Sequence, residues 1–158
     1  MGMTLKEIEV YCREFLKENY GLKLTIPVRL NSRLFSTFGC FVHGDGWDRP
    51  IRLEFNKKFI TKGEREDIIK VIIHECVHYA LYMHRKPFYD CDKYFEDELI
   101  KHGAPSDEHI DFKIERNVRV YTCKCKEHIF LQLIYPKRCL RCKTDLKYVG
   151  KRRELVAI

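Results

Sequence analysis

The sequence lacks any apolar run of the roughly 20 residues that a membrane-spanning helix requires. Its start also lacks the basic stretch followed by an apolar stretch that is typical of a signal peptide. It contains no internal repeat, no low-complexity tract and no long flexible linker. We therefore expect a cytoplasmic globular protein that has no membrane partner.

Length and composition fit one compact domain with a small appendage. The 158 residues are 45% hydrophobic and 13% aromatic, which is enough for a substantial core, and 34% are charged, which suits a surface in water. In a reducing compartment, the eight cysteines are expected to be thiols or metal ligands rather than disulfides. Four of them fall between Cys123 and Cys142, so this segment is a candidate metal site.

Acidic residues are scarce in the C-terminal region. The stretch from Arg119 to Arg153 contains eleven Lys and Arg against two acidic residues, a net charge of +9, whereas the whole chain carries +7. Residues 1–118 carry a net charge of −1. Such a basic block predicts a polyanionic partner such as nucleic acid, although a merely solvated surface would have the same composition.

The first part of the chain predicts an α+β arrangement. A capping box, Thr4 and Glu7, predicts an N-terminal helix. Strand-like segments follow, LTIPVRL, TFGCFVH and PIRLEFN, and turn-forming residues between the last two predict a hairpin. A second capping box, Thr61 and Glu64, predicts the start of a helix that runs to Met83.

The predicted secondary structure changes near Asn117. Before it, DKYFEDELIKHG predicts a helix from Asp92 to Gly103, and APSDEHIDFKIE fits either a loop or a short helix. After it, VRVYTC, HIFLQLIY and DLKYV predict short strands around paired cysteines. We therefore predict two domains, residues 1–117 and 118–158.

The segment HECVH lies in the middle of the second long predicted helix. A helix turns about 100° per residue, so His74 and His78 lie one turn apart and their imidazoles can converge on one point. Glu75 flanks the same face. This H-E-x-x-H pattern is typical of zinc hydrolases, in which two neutral imidazoles bind the metal and the glutamate is the general base. A pair of buried, hydrogen-bonded histidines is the alternative.

Spacing alone leaves the third ligand of this predicted zinc site open. His84 follows His78 by six residues, near the predicted helix end, and would point elsewhere. The remaining candidates are Asp90, Cys91, Asp92, Glu96, His102 and His109.

The clustered cysteines form two close pairs, Cys123 with Cys125 and Cys139 with Cys142, separated by thirteen residues. This spacing predicts a closed, tetrahedral, structural zinc site in a segment that is too small to be stabilised by its own core. His128 follows Cys125 at C-x₂-H spacing and is an alternative ligand in place of one thiolate.

Cations surround this second predicted zinc site. We expect Lys137, Arg138, Arg141 and Lys143 to contact nucleic acid. Part of the positive charge would neutralise a four-thiolate zinc site, whose formal charge is −2. Interleaved aromatic residues offer faces on which bases stack, although a small hairpin core is the more common use of such residues.

Taken in order, these parts resemble the SprT-like zinc metallopeptidases, which include bacterial SprT proteins and the eukaryotic protease Spartan. The resemblance covers the N-terminal helix, NSRLFSTFG before the metal helix, HECVH itself and a cysteine-rich tail introduced by YTC. It implies a zincin-like peptidase domain with a small antiparallel sheet, followed by a zinc ribbon. It also implies one catalytic and one structural zinc ion.

The resemblance narrows the choice of residue for the third zinc ligand. The family usually places a histidine there, in a pattern like H-G-x-x-F, and Asp90 and Tyr94 stand at the corresponding positions here. It therefore favours Asp90, with His109 second and His102 third. The first cysteine pair departs from the family too, because C-x-C replaces C-x₂-C.

Three functions fit these features. The first is a zinc metallopeptidase that hydrolyses peptide bonds, with DNA-associated proteins as substrates by resemblance to Spartan. The second is a non-catalytic zinc-containing protein that binds nucleic acid or regulates a partner. The third is a metal-dependent hydrolase that acts on a substrate other than protein.

Overall fold

The structure is a computed structural model that describes residues 2–34, 36–106, 109–130 and 137–157. Within these ranges the elements are α1 (Leu5–Tyr20), β1 (Val28–Asn31), β2 (Gly39–His43), β3 (Pro50–Asn56), α2 (Lys57–Lys62), α3 (Arg65–Met83), α4 (Lys93–Lys101), β4 (Lys113–Thr122), β5 (Glu127–Phe130) and β6 (Lys147–Ala157). The protein is therefore α+β, with its long helices before its longest strands.

The chain divides into two compact units. The first unit extends to Phe112 and the second unit is Lys113–Ala157. The sequence analysis placed the division after Asn117, but β4 runs unbroken through that residue. Because β4 pairs with β6 along its whole length, Lys113–Thr122, the division falls where β4 begins.

Helix α1 begins at the predicted capping box, which is confirmed. The Glu7 N–H donates to the Thr4 hydroxyl at 3.3 Å, and the Thr4 N–H donates to the Glu7 carboxylate at 2.8 Å. Gly21 ends the helix in the left-handed conformation, at φ 65°, which glycine adopts without a steric penalty. The helix buries one stripe, formed by Ile8, Cys12, Phe15 and Leu16.

The first unit contains a three-stranded sheet in the order β1-β3-β2. Strands β2 and β3 form the predicted antiparallel hairpin. The expectation of an antiparallel sheet is wrong for β1, which pairs parallel to β3, with Val28 opposite Leu53. Strand β2 follows β1 in the sequence but lies at the opposite edge of the sheet. Strand β3 lies between them and runs parallel to β1.

The start of α3 differs from its prediction, although its end at Met83 is confirmed. Glu64 is the N-cap residue but makes no side-chain cap. The Thr61 hydroxyl instead donates to the Lys57 carbonyl inside α2, a short helix that the sequence analysis missed. Asn56 caps α2, so the chain is already helical at Thr61 and no capping box forms there.

Helix α4 is shorter than predicted, with Asp92 as its N-cap residue and His102 as its C-cap residue. The ambiguous segment after it has no helix or strand among its described residues up to Phe112. Helices α1 and α3 pack together, and α3 also contacts β2 and α4. The core between these elements includes fully buried Leu53, Phe59, Ile72, Tyr79 and Phe95.

The second unit is an antiparallel sheet in the order β5-β4-β6. The predicted strand HIFLQLIY is found as β5 up to Phe130, and its remainder lies outside the described residues. Among the described helices of the protein, none is long and apolar enough to cross a lipid bilayer.

Candidate metal centre and the groove around it

Helix α3 presents His74 and His78 on one face. Their ring centroids lie 4.8 Å apart, and the side chain of His78 is the more buried of the two, 12% exposed against 25%. Apolar residues such as Ile72, Ile73 and Val77 bury the other faces of the helix, which fixes the direction in which the imidazoles point. The convergence predicted from one helical turn is therefore present.

Asp90, in the loop before α4, completes a triangle with the two histidines. The His74 Nε2 and His78 Nε2 atoms lie 3.1 Å apart, and the Asp90 Oδ1 atom lies 3.2 and 3.4 Å from them. Nitrogen and oxygen ligands of a tetrahedral zinc ion lie about 3.3 Å apart, because each bond is about 2.0–2.2 Å long. These three atoms therefore fit a zinc ion without rearrangement.

The tautomer of His78 also fits metal binding. Its Nδ1 atom faces the Phe88 carbonyl, which can only accept, so Nδ1 carries the proton and Nε2 presents a lone pair. Phe95 of α4 supports both rings: it stacks on His78 at 4.1 Å and meets His74 edge-on at 5.1 Å. The imidazoles are therefore held in place by a backbone acceptor and an aromatic side chain.

The pKa values of the ligand groups reflect their contact. Hydrogen bonds with His74 and His78 hold the pKa of Asp90 well below its usual range. Burial alone would lower the pKa of His78, but the hydrogen bond to Asp90 and the charge of Glu75 outweigh burial and raise it. The Asp90 carboxylate and the His78 imidazole thus each stabilise the charged form of the other.

Glu75 is buried beside this triangle, with 5% of its surface exposed. Its Oε2 atom has no hydrogen-bond partner among the described residues, which is costly for a buried carboxylate oxygen. Burial raises the pKa of Glu75, and the nearby charges of His78 and His74 offset part of that rise. A buried acid with a raised pKa and an unused oxygen is typical of a group that takes up and releases a proton.

Gly39 of β2 makes room for the Glu75 carboxylate. A Cβ atom at Gly39 would lie 2.7 Å from both Cγ and Oε1 of Glu75, closer than van der Waals contact permits. The Phe41 N–H, two residues along the strand, hydrogen-bonds to Glu75 and lowers its pKa. Strand β2 thus fixes the position of Glu75 in two ways: Gly39 has no side chain that would collide with it, and the Phe41 N–H donates to it.

The triangle and Glu75 lie in a groove of about 690 Å³. Strand β2 and the loop before it form one wall, α3 forms the floor, and the segments around Tyr89 and Pro105 form the rest. The groove is large enough for several residues of an extended chain. His109 lines it but is exposed and lies outside the ligand triangle.

His102 lies elsewhere in the first unit. Its ring packs against Phe15 at 5.0 Å and Tyr20 at 5.6 Å. Its Nε2 atom is buried without a hydrogen-bond partner among the described residues, 3.8 Å from Glu98 Oε2. Of the three candidate third ligands, the structure therefore brings Asp90 alone into the triangle with His74 and His78.

The second unit brings its four cysteines together. The Sγ atoms of Cys123, Cys125, Cys139 and Cys142 all lie within 4.8 Å of one another. The Cys123–Cys125 and Cys125–Cys139 sulfur distances are 3.2 and 3.6 Å, near the roughly 3.8 Å expected when four thiolates bind one zinc ion. The His128 Nε2 atom lies 3.1 Å from Cys123 Sγ and hydrogen-bonds to it, at the edge of this group.

Hydrogen bonds within this group shift the pKa values of its thiols. The backbone N–H of Cys125, followed by other hydrogen bonds, lowers the pKa of Cys123, whereas the side-chain hydrogen bond with Cys123 raises the pKa of Cys125. Thiolates are the form that binds metal. The donor set and the spacing therefore fit a four-sulfur metal site.

The predicted nucleic-acid contacts Lys137, Arg138, Arg141 and Lys143 are all exposed around this group. Arg138 forms an ion pair of 3.1 Å with Asp145, and both side chains are about three-quarters exposed, 74% and 75%. Such an exposed pair adds little stability and leaves the guanidinium accessible to a partner.

Comparison with known proteins identifies the family. The SprT-like family model matches residues 7–97, which is more than half of the chain and includes α3 and Asp90. This chain belongs to the SprT-like family.

The similarity to individual SprT-like proteins extends into the second unit. The protein from Streptococcus mutans is 35% identical over 91 residues, which cover 58% of this chain and 59% of that protein. The proteins from Bacillus cereus and Bacillus velezensis are 27% and 24% identical, and these alignments cover 94% and 93% of this chain and 99% of each relative. No solved structure matches the chain.

The sequence analysis missed the groups that support the site. Phe95 and the Phe88 carbonyl touch the ligands but belong to no motif, and Gly39, the last residue of NSRLFSTFG, was given no role beside the acid. A glycine inside the strand-like segment TFGCFVH was a signal, because strand glycines often mark a close approach of another group. The packing of Phe95 gave no comparable signal, since any apolar residue at that helical position would show the same pattern.

Proposed function

We propose that this SprT-like chain is a zinc-dependent metallopeptidase with a zincin-like first unit and a zinc-ribbon second unit. The observation that carries the proposal is the triangle of ligand atoms 3.1–3.4 Å apart, next to a buried carboxylate whose Oε2 atom is unpartnered. His74, His78 and Asp90 would hold the catalytic zinc. When bound there, zinc polarises a carbonyl group and makes water more acidic.

Glu75 moves the proton in this proposal. Its carboxylate takes a proton from the attacking water at Oε2 and passes it to the nitrogen of the leaving amine. Burial raises the pKa of this acid, which favours its protonated form once it has taken up the proton. Gly39 and the Phe41 N–H fix the position of this carboxylate in the lining of the groove.

Strand β2 supports a polypeptide as the substrate. It is an edge strand, paired only with β3 among the described strands, and it borders the groove. Edge strands bind extended peptides by adding them to the sheet, with alternate side chains directed to each face. A polypeptide stretched along β2 would therefore pass over Glu75.

The test replaces Glu75 by Gln and measures cleavage of a disordered protein, with and without single-stranded DNA. We expect cleavage to fall by at least about 10²-fold while zinc content and folding stay the same. Glu66→Gln is the matched control, because it lies on the same helix but its side chain is 83% exposed. Equal cleavage by the Glu75→Gln and unmodified chains would contradict the proposal.

Metal analysis tests the ligand assignment independently of activity. We expect two zinc ions per chain, one in each unit. Replacing His74 and His78 by Ala together should reduce this to one. Two ions retained in that variant would contradict the proposed catalytic site.

We also propose DNA as a partner, through the exposed cations around the cysteine group. Binding should weaken steeply with salt, and reversing the charges of Arg138 and Arg141 should flatten that dependence. DNA binding without cleavage by either the unmodified chain or Glu75→Gln would favour a non-catalytic nucleic-acid-binding protein instead. Salt-insensitive binding would contradict a role for the basic surface.

A further inference from the structure

One part of the groove lining is a wall of aromatic rings. His43, Phe88 and Tyr89 line it, and Trp47 packs behind Phe88 at 5.4 Å. Tyr89 is 60% exposed and Trp47 is 40% exposed. Large apolar side chains that stay exposed beside a concave site are typical of binding surfaces.

The wall is held rigidly. The His43 Nδ1 atom hydrogen-bonds to the Gly44 carbonyl at 2.8 Å. Its ring contacts Phe41 at 5.5 Å, and Phe88 and Tyr82 at 5.2 Å each. A surface fixed in this way loses little conformational entropy when a ligand binds, which favours affinity.

The wall is continuous with the candidate metal centre. Tyr89 directly precedes Asp90, and Gly39, which contacts Glu75, lies on the same strand as His43. Four residues of strand cover about 13 Å, at about 3.3 Å per residue. An extended chain that is cut at Glu75 would therefore place a side chain against the wall within about four residues of the cut bond.

The rest of the groove lining mixes polar and apolar side chains. Ser36, Lys70 and Ser106 are polar, whereas Leu34, Phe38 and Ile110 are apolar. The wall differs because three rings contact one another there, with centroid distances of 4.2 Å for Phe88–Tyr89, 5.2 Å for His43–Phe88 and 6.2 Å for His43–Tyr89.

We propose that the wall of His43, Phe88 and Tyr89, backed by Trp47, selects substrates that carry an aromatic or other bulky apolar side chain within about four residues of the cut bond. This inference rests on the proposed peptidase function, because it assumes a polypeptide in the groove. Bulky apolar residues are mostly buried in folded proteins. The selected class is therefore unfolded polypeptide segments that expose them.

The protein carries its own reporter for this subsite. Trp47 is the single tryptophan of the chain, so its fluorescence reports events at the wall. The experiment titrates the Glu75→Gln chain, in buffer containing Zn²⁺, with two ten-residue peptides of Gly, Ser and Ala. One peptide has Phe at a central position and the other has Ala there. We expect the Phe peptide to change the emission and to bind about ten-fold more tightly.

Variants of the wall test the assignment. Tyr89→Ala and His43→Ala, each made in the Glu75→Gln chain, should bring the affinity ratio of the two peptides toward one. Tyr89→Phe should retain the ratio, because it keeps the ring. Tyr94→Ala is the matched control, since Tyr94 is 45% exposed, lies four residues past Asp90 and does not line the groove.

Two results would overturn the inference: equal affinity for the Phe and Ala peptides, or an unchanged ratio in both Tyr89→Ala and His43→Ala. Cleavage by the chain that retains Glu75 is read separately. If that chain cleaves proteins but cuts Phe and Ala peptides equally well, this inference fails and the peptidase proposal stands. If it cleaves nothing while Trp47 still distinguishes the peptides, the peptidase proposal fails and the wall remains a binding site.

Discussion

The two units of this protein differ in what they bury. In the first unit, helices α1, α3 and α4 and the mixed sheet enclose a continuous apolar core, and the ligand triangle lies at the edge of that core. In the second unit, the described buried apolar residues are few: Ile114, Val118, Val120, Tyr121 and Cys139. One of them, Cys139, is itself a member of the cysteine group.

This difference separates two uses of metal-binding residues. The first unit gains its free energy of folding from apolar burial, so its ligands can be arranged for chemistry. The second unit has too little core for its size, and a bound metal would supply folding free energy directly. We therefore expect removal of metal to unfold the second unit and to leave the first unit folded.

The largest effect is expected from Cys139→Ser. Structural zinc sites contribute on the order of 10 kcal/mol of binding free energy, so losing one buried thiolate should unfold the second unit. Backbone amide signals of residues 113–157 should lose their dispersion in an NMR spectrum, whereas those of the first unit should remain.

Cys91→Ser is the control for this experiment, because Cys91 is an exposed cysteine outside both ligand groups. Its spectrum should match that of the unmodified chain. If the second unit stays folded in Cys139→Ser, and also after chelation of metal, the contrast between the units is wrong.

Gly39→Ala should damage the site of the first unit without unfolding it. The added methyl group would lie 2.7 Å from the Glu75 carboxylate and displace it. A misplacement of about 1 Å can cost about 10²-fold in rate, so kcat/KM for protein cleavage should fall by that order. Zinc content, measured by atomic absorption, should not change.

Val42→Ala is the counterpart on the same strand, with its side chain on the opposite face, and it should cleave normally. Full activity in Gly39→Ala would show that Glu75 does not depend on this close approach.

Asn56→Ala should destabilise the first unit by about 1–3 kcal/mol. The Asn56 side-chain oxygen accepts from the N–H groups of Lys58 and Phe59, and its amide donates to the Leu34 and Thr37 carbonyls. Asn56 is 2% exposed, so the groups left behind would lose partners away from water. Urea unfolding would measure the loss.

Asn56→Asp separates the two roles of this side chain. It keeps the acceptor for α2 but places a buried carboxylate oxygen against the Leu34 and Thr37 carbonyl oxygens, so it should be less stable than Asn56→Ala at neutral pH. Equal free energies of unfolding for Asn56→Ala and the unmodified chain would show that the hydrogen bonds of Asn56 do not stabilise the first unit.

The smallest effect is expected from Thr4→Ala, about 1 kcal/mol, because it removes the acceptor that caps α1. Thr61→Ala should cost less, since the Thr61 hydroxyl donates to a carbonyl within α2 and caps nothing. Thermal unfolding of the two variants would compare Thr4, which belongs to a capping box in the structure, with Thr61, which matches the sequence pattern of a capping box but does not form one. A larger loss in Thr61→Ala would reverse this order.

Local patterns in the sequence predicted local structure well. The Thr4 and Glu7 box, the hairpin of β2 and β3 and the end of α3 at Met83 each depend on residues close in sequence, and all are present. The convergence of His74 and His78 follows from helix geometry alone. Each of these features is determined by residues that are close together in the sequence.

Features that depend on distant residues were not predictable in the same way. The parallel pairing of β1 with β3 is decided by where β2 inserts, and no periodicity encodes it. The Thr61 and Glu64 box failed because Asn56, upstream of it, had already started a helix. The support that Phe95 gives the imidazoles arises only when α4 packs against α3.

A single short stretch, Phe88 to Asp90, serves both the candidate metal site and the aromatic wall. Its first carbonyl accepts from His78, its middle side chain belongs to the wall, and its last carboxylate belongs to the triangle. A ligand that moves this stretch from one side therefore also moves groups that contact the ligand on the other side. By thermodynamic reciprocity, a cation at the triangle and a peptide at the wall should change the affinity of each other by the same factor.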